Sequence, residues 1–286
     1  MKCMTTQVMF SVIVTGFLGL AACVSSPSST SVPANVTAPV PERAPGLLVG
    51  YLQDTERAES LALLPPPPAP GSAAFDNDEA VRAAAANLKG TPRWELAAVD
   101  AELVKPSMLQ TFSCALGVPV NQTDTPNLTR LLRRTLSDGS LSTRSAKVHY
   151  QRVRPFVAHN EGTCLPSDEE SLRKNGSYPS GHTAIGWTQA LVLAQVSPAS
   201  ADALFARGLA FGESRVVCNA HWQSDIIQGR VVAAATFALL QNNAIYQQDV
   251  RLAANDVAKA KAKGLKPNKD CAMEATALAT HVPGIL

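Results

Sequence analysis

Three long stretches with helical composition follow one another over residues 182–195, 198–217 and 221–240, and nowhere does the chain alternate polar and apolar residues over the length of a strand. Ala, Leu and Val dominate these stretches, a mixture that favours helices. The last contains Val231 to Leu240, apolar on every side, which places that helix at the centre of a bundle; at ten residues the run is too short to span a bilayer. Earlier helices are expected over 76–89, 92–104, 106–116, 127–136 and 142–153, the last two parted by a turn at Ser137-Asp138-Gly139. Residues 159–178 read as loop with a helical turn or two around 169–174. A charged, peripheral helix is expected over 244–263. Leu61 to Pro68 ends in four prolines and reads as a non-helical strap across the surface. The expected fold class is all-α, a single-domain helical bundle over residues 47–265 with a C-terminal tail over 266–286.

The first residues stand apart from that domain. Lys2 precedes an apolar stretch from Val8 to Leu20, and small residues lead into Leu20-Ala21-Ala22-Cys23. This is the layout of a secretory signal over residues 1–22. Its end resembles the lipobox of bacterial lipoproteins, which makes Cys23 the expected lipidation site. Residues 23–46, rich in Ser, Pro, Thr and Val, read as a tether that reaches on the order of 70 Å if extended. With Val24 after the cysteine, the resemblance implies the bacterial cell envelope, a periplasmic domain anchored to the outer membrane. Once Cys3 and Cys23 are set aside, Cys114, Cys164, Cys218 and Cys271 remain, enough for two disulfides in an exported protein, with three connectivities open.

Unusual polar residues gather in three short segments. Lys147 and Arg154 lie seven apart, so a continuous helix would place them on one face about 10 Å apart along the axis. Ser180 stands in the Pro/Gly turn Gly176 to Thr183, placed to cap a helix whose free amides, from Gly181 onward, form an anion site. His221 and Asp225 stand at i and i+4, so the carboxylate can hold one ring nitrogen and leave the other for reaction. Together with Arg215 these residues compose a phosphoryl-transfer site: cations for the non-bridging oxygens, one histidine to attack phosphorus and another, His182, to protonate the leaving alcohol. No metal or other cofactor is expected, because three cations at the site would repel a divalent ion. His149, His159 and His281 read as structural or exposed, and Arg144, Arg152 and Arg230 as surface charges. Tyr178 and Trp222 flank the site, either lining its mouth or packing. A net charge of +2 and an aromatic content of 5% argue against nucleic acid as a partner.

The segments Lys147-x6-Arg154-Pro155, Pro179-Ser180-Gly181-His182 and Ser214-Arg215-x5-His221-x3-Asp225 resemble the signature of the type-2 phosphatidic acid phosphatase superfamily, which also holds vanadium-dependent haloperoxidases. Residues 176–183 are similar, more narrowly, to the bacterial class A non-specific acid phosphatases, as are residues 63–68, 143–147 and 218–225. The resemblance implies an all-α fold and metal-independent hydrolysis of small phosphomonoesters at acidic to neutral pH, through a phosphohistidine, with a phosphotransferase side activity. It implies His221 as nucleophile, Asp225 as its orienting partner and His182 as general acid, then base. Lys147, Arg154, Ser180, Gly181 and Arg215 take the places of phosphate ligands. Two features depart from the class: Ile226-Ile227-Gln228-Gly229-Arg230, where more polar, Ala-rich sequence is expected, and the lipobox itself. A haloperoxidase with vanadate in the cradle and a non-catalytic phosphate-binding lipoprotein are the alternatives. A homo-oligomer is left open.

Overall fold

The computed structural model describes residues 39–103 and 106–285, with backbone alone at 106 and 107. The signal segment, Cys23 and the tether as far as residue 38 lie outside the described residues. The end of the tether is drawn into the fold: β1 (Glu42–Ala44) pairs antiparallel with β2 (Leu47–Leu48). A single helical turn, α1 (Ser60–Leu63), precedes the four prolines, so the strap begins as helix and only then extends. Next come α2 (Ala73–Ala86), capped by the Ser72 hydroxyl, and α3 (Pro92–Ala101), with a Thr91 cap and proline in its first turn.

The expected helix over 106–116 is broken into α4 (Pro106–Leu109) and α5 (Ser113–Leu116). Between them Gln110 accepts from the Ser113 hydroxyl and donates to the Val120 carbonyl, satisfying a turn rather than a helix. In contrast, α6 (Pro126–Leu141) runs straight through the expected turn at 137–139. Its polar residues serve the neighbouring chain instead. The Asp138 carboxylate accepts the Tyr51 and Leu52 amides, and the Ser137 hydroxyl donates to the Leu48 carbonyl. Gly139 lets α6 approach the central helix, since a Cβ there would stand 3.0 Å from the Ile185 Cα.

Next, α7 (Arg144–Tyr150) ends at Gln151, whose φ of 42° is left-handed, and α8 (Pro155–Ala158) begins anew. The helix expected through residue 153 cannot continue, because the residue before a proline, here Arg154, is driven to extended backbone. After α9 (Glu169–Arg173), the bundle proper is α10 (Gly181–Val196), α11 (Ala201–Val217), α12 (Gln223–Leu240) and α13 (Ala244–Ala262).

The central helix is α10, not α12. It packs against α6, α11, α12 and α13, whereas α12 leaves Val231, Ala234 and Ala238 exposed. Nor is α13 peripheral. Tyr246, Val250, Ala253 and Val257 join Leu128, Leu131 and Leu132 of α6 and Leu193 of α10 in the main core. Each large side chain so buried is worth about 1.5–3 kcal/mol. The stretch expected as a tail folds into α14 (Cys271–Leu278), tied to α5 by the Cys114–Cys271 disulfide. The second disulfide joins Cys164 to Cys218, so one of the three connectivities is realised. No helix among the described residues is long and apolar enough to cross a membrane.

Candidate active site

The N-termini of α10 and α12 meet at the site, and a glycine permits it. A Cβ at Gly229 of α12 would lie 2.7 Å from the Ser180 carbonyl oxygen, so only glycine allows this approach. The Ser180 amide donates to the Asp225 carbonyl at 2.9 Å, fastening the two helix starts together. Ser180 caps α10, its hydroxyl accepting the Thr183 amide and hydroxyl. The amides of Gly181 and His182 in the first turn have no intrahelical acceptor and offer an anion seat.

His221 is not on a helix. It precedes Trp222, the N-cap of α12, while Asp225 lies in the first turn. The contact expected from i,i+4 spacing is made by a different route: the Asp225 carboxylate reaches back to accept the Trp222 amide at 2.9 Å and stands 3.2 Å from His221 Nδ1. The Cys164–Cys218 disulfide and the amides of Ala220 and His221, both donating to the Arg215 carbonyl, hold this turn.

Lys147 and Arg154 likewise come together without sharing a helix. Lys147 is on α7 and Arg154 is the N-cap of α8; both donate to the chain between α9 and α10, Lys147 Nζ to the Gly176 carbonyl at 2.9 Å and Arg154 Nε to the Asn175 carbonyl at 3.0 Å, and Arg154 Nε also to the Leu172 carbonyl of α9 at 3.0 Å. Arg154 also donates to the Ala220 carbonyl and stands 3.1 Å from His221 Nε2. An arginine can only donate, so His221 Nε2 is the accepting nitrogen and its proton sits on Nδ1, toward Asp225. His182 has the opposite arrangement: its Nε2 donates to the Ala101 carbonyl at the end of α3 at 2.9 Å, which leaves Nδ1 for chemistry. Arg215, in the last turn of α11, is buried with Nε and Nη1 lacking any hydrogen-bond partner.

These groups strain one another electrostatically. Burial and the neighbouring Arg154 hold the Lys147 ammonium down to about 7. Burial lowers Arg154 to about 10, and burial with Arg154 lowers Arg215 to about 9. Both imidazoles lie well below their ordinary range, through burial first and then Arg215 for His182 and Arg154 for His221. A bound dianion would oppose the lowering that neighbouring cations impose on Lys147, Arg215, His182 and His221. Lys147, Arg154, Gly181, His182 and His221 line a cavity of about 490 Å³ whose walls include Leu103, Leu141, Val148 and Ile185. Ser180 and Arg215 lie buried behind it. Among the described residues no cluster of His, Cys, Asp or Glu is arranged to hold a metal ion.

Two residues escape the sequence reading. Arg152 is no surface charge: its guanidinium, almost fully buried, donates to Asp225 at 2.7 Å and to Asp78 of α2 at 2.8 Å. Asp78 in turn accepts the Ser224 amide and hydroxyl. Arg152 stands two residues from Arg154 in the same segment, the only signal in the sequence; nothing near Asp78 distinguishes it from a solvated helix acid. Arg144 is exposed at the cavity rim, Arg230 is half-buried near Glu213, and His149 and His281 are exposed. His159 pairs with Glu79. Tyr178 and Trp222 are packed rather than at the mouth, donating to the Pro65 and Val153 carbonyls.

Residues 131–248 match the PAP2 superfamily. The chain is 45% identical over 212 residues to the non-specific acid phosphatase of Providencia stuartii, spanning 74% of this chain and 86% of that one. It is 45% identical over 196 residues to the non-specific acid phosphatase of Salmonella typhimurium, spanning 68% and 78%. An acid phosphatase of Zymomonas mobilis is 38% identical over 211 residues, spanning 74% and 80%.

Proposed function

The chain belongs to the PAP2 superfamily as a class A acid phosphatase and hydrolyses phosphate monoesters; from that premise we propose that the reaction runs, without a metal, through a phosphohistidine at His221. The supporting observation is the pair of imidazoles in opposite tautomers beside three under-compensated cations. Substrate phosphate takes the place vacant of negative charge among Lys147, Arg154 and Arg215, with the Gly181 and His182 amides and the Ser180 hydroxyl completing the seat. His221 Nε2 attacks phosphorus, the P–O bond to the organic group breaks, and His182 Nδ1–H protonates the departing alkoxide. Water then attacks phosphorus, giving its proton to His182, and the P–N bond breaks to release phosphate. An alcohol in place of water gives the phosphotransferase side activity. Apolar cavity walls constrain the organic group little, which accounts for broad specificity.

Before substrate binds, the lowered imidazoles are neutral near pH 7, so His182 acquires its proton with the arriving phosphate. Acidic to neutral conditions favour that state. Lys147 loses its charge above about 7, which weakens the seat on the alkaline side. Hydrolysis of p-nitrophenyl phosphate across pH 4–9 in excess EDTA is therefore expected to be robust, with an acidic to neutral optimum and KM rising above pH 7. Activity abolished by EDTA and restored by a divalent ion, or a rate still climbing above pH 8, would contradict the proposal. We further propose that Cys23 is lipidated and anchors the domain to the outer membrane from the periplasmic space. Radiolabelled palmitate should enter the protein expressed in a bacterial host and be absent from Cys23→Ser; equal labelling of the two would refute it.

A further inference from the structure

The cavity carries more positive charge at its mouth than one phosphate engages. Arg43 and Arg144 both line it and are exposed, and neither has an ion pair or hydrogen bond among the described residues. Arg82 and Arg133, by contrast, are matched, Arg82 with Glu79 and Glu161 and Arg133 with Glu42. Lys174 also lines the cavity, but Glu170 holds its ammonium at 2.8 Å, so it is not counted. Among the described residues lining the cavity there is no carboxylate at all.

Both arginines are carried on anchored backbone. Arg144 opens α7 one turn before Lys147, which puts the two on one helix face with Cβ atoms about 5–6 Å apart. The chain thus lays a line of cations from the cavity floor to its rim. Arg43 stands between the paired Glu42 and Ala44, where the β1–β2 register is irregular, and lines the cavity. Its neighbour Glu42 is fastened to α6 through Arg133 and to the Gly46 amide, and Arg43 is left to the cavity side. Beyond Arg144 lies a second groove, lined by Asp54 and Glu59 as well as Arg57 and His149. Its carboxylates confine attraction for an anion to the cavity side of Arg144.

We propose that Arg43 and Arg144 form a second anion subsite, which selects organic bisphosphates whose second phosphate lies several bonds from the scissile one. The proposal rests on the scissile phosphate being seated at Lys147. A neutral organic group gains nothing from the rim, so simple monoesters remain substrates and the broad specificity is graded by charge.

The test compares kcat/KM for butane-1,4-diol bisphosphate and butyl phosphate on the purified protein near pH 6 at low salt. Counted per phosphate, the bisphosphate is expected to be favoured about 5- to 20-fold, mainly through KM, because exposed ion pairs are each worth up to about 1 kcal/mol. The preference should shrink toward parity at about 0.5 M salt, where exposed charges are screened. In Arg43→Gln/Arg144→Gln it should vanish while butyl phosphate hydrolysis stays within about 2-fold of the parent. No preference in the parent, or one that survives the double substitution, would overturn the proposal. Equal slowing of both substrates would overturn it too, by assigning the two arginines to the scissile-phosphate seat. Lys147→Met reports on that seat separately: unchanged butyl phosphate kinetics would remove the seat, and this subsite with it.

Discussion

The Arg152 guanidinium bridges two buried carboxylates, Asp225 beside His221 and Asp78 on α2, and so decides how much negative charge His221 meets. Arg152 is itself among the cations that depress the His221 imidazole. Replacing it by glutamine leaves Asp225 uncompensated, which stabilises the imidazolium and raises the His221 pKa. The proposed attack needs His221 neutral, so the acid limb of the kcat profile should move to higher pH. Because the carboxylate also loses its fixed position, kcat should fall about 10- to 100-fold with KM changed little, the range seen for partners that orient a reacting group. Arg152→Lys, keeping the charge but not the two-point grip, should restore the acid limb and part of kcat. A fall in kcat with an unmoved limb would reduce Arg152 to a structural role. The sequence placed His182, His221, Asp225, Lys147, Arg154 and Arg215 in one constellation, and the fold does bring them together. It could not show Arg152 or Asp78, because their meaning lies in partners far along the chain.

At the scale of elements, the helices were legible from composition and caps, while their interruptions were not. Ser137-Asp138-Gly139 has the composition of a turn, yet its hydroxyl and carboxylate are spent on Leu48, Tyr51 and Leu52, and the helix continues. Conversely Lys147 and Arg154 sit at helical spacing across a break imposed by Pro155. The decisive element contact is between α10 and α12, where Gly229 meets the Ser180 turn. Gly229→Ala should force the two helix starts apart, destabilising the fold by about 1–3 kcal/mol in thermal or denaturant unfolding. It should also lower kcat/KM for p-nitrophenyl phosphate under conditions where the variant is folded. Ala238→Ser, on the exposed face of α12, should alter neither. Full activity in folded Gly229→Ala would show that the seat does not depend on this approach.

Over the whole molecule, the groups of the proposed site come from segments that only the complete bundle assembles. α3 supplies the carbonyl for His182, α7, the start of α8 and the end of α11 the cations, the α11–α12 turn His221, and α2 the acid that completes the Arg152 bridge. The two disulfides, Cys114–Cys271 and Cys164–Cys218, tie in the C-terminal helix and the His221 turn, a pairing that cysteine spacing alone left among three possibilities. The central claim is covalent: phosphate passes through His221. The most direct measurement is rapid quenching of the enzyme with saturating p-nitrophenyl phosphate, followed by peptide mass spectrometry under alkaline conditions that preserve phosphohistidine. The account predicts a phosphate adduct on His221 in the parent protein and none in His221→Ala. An adduct on another residue, or full turnover with no trapped adduct in a variant such as His182→Ala, would contradict it.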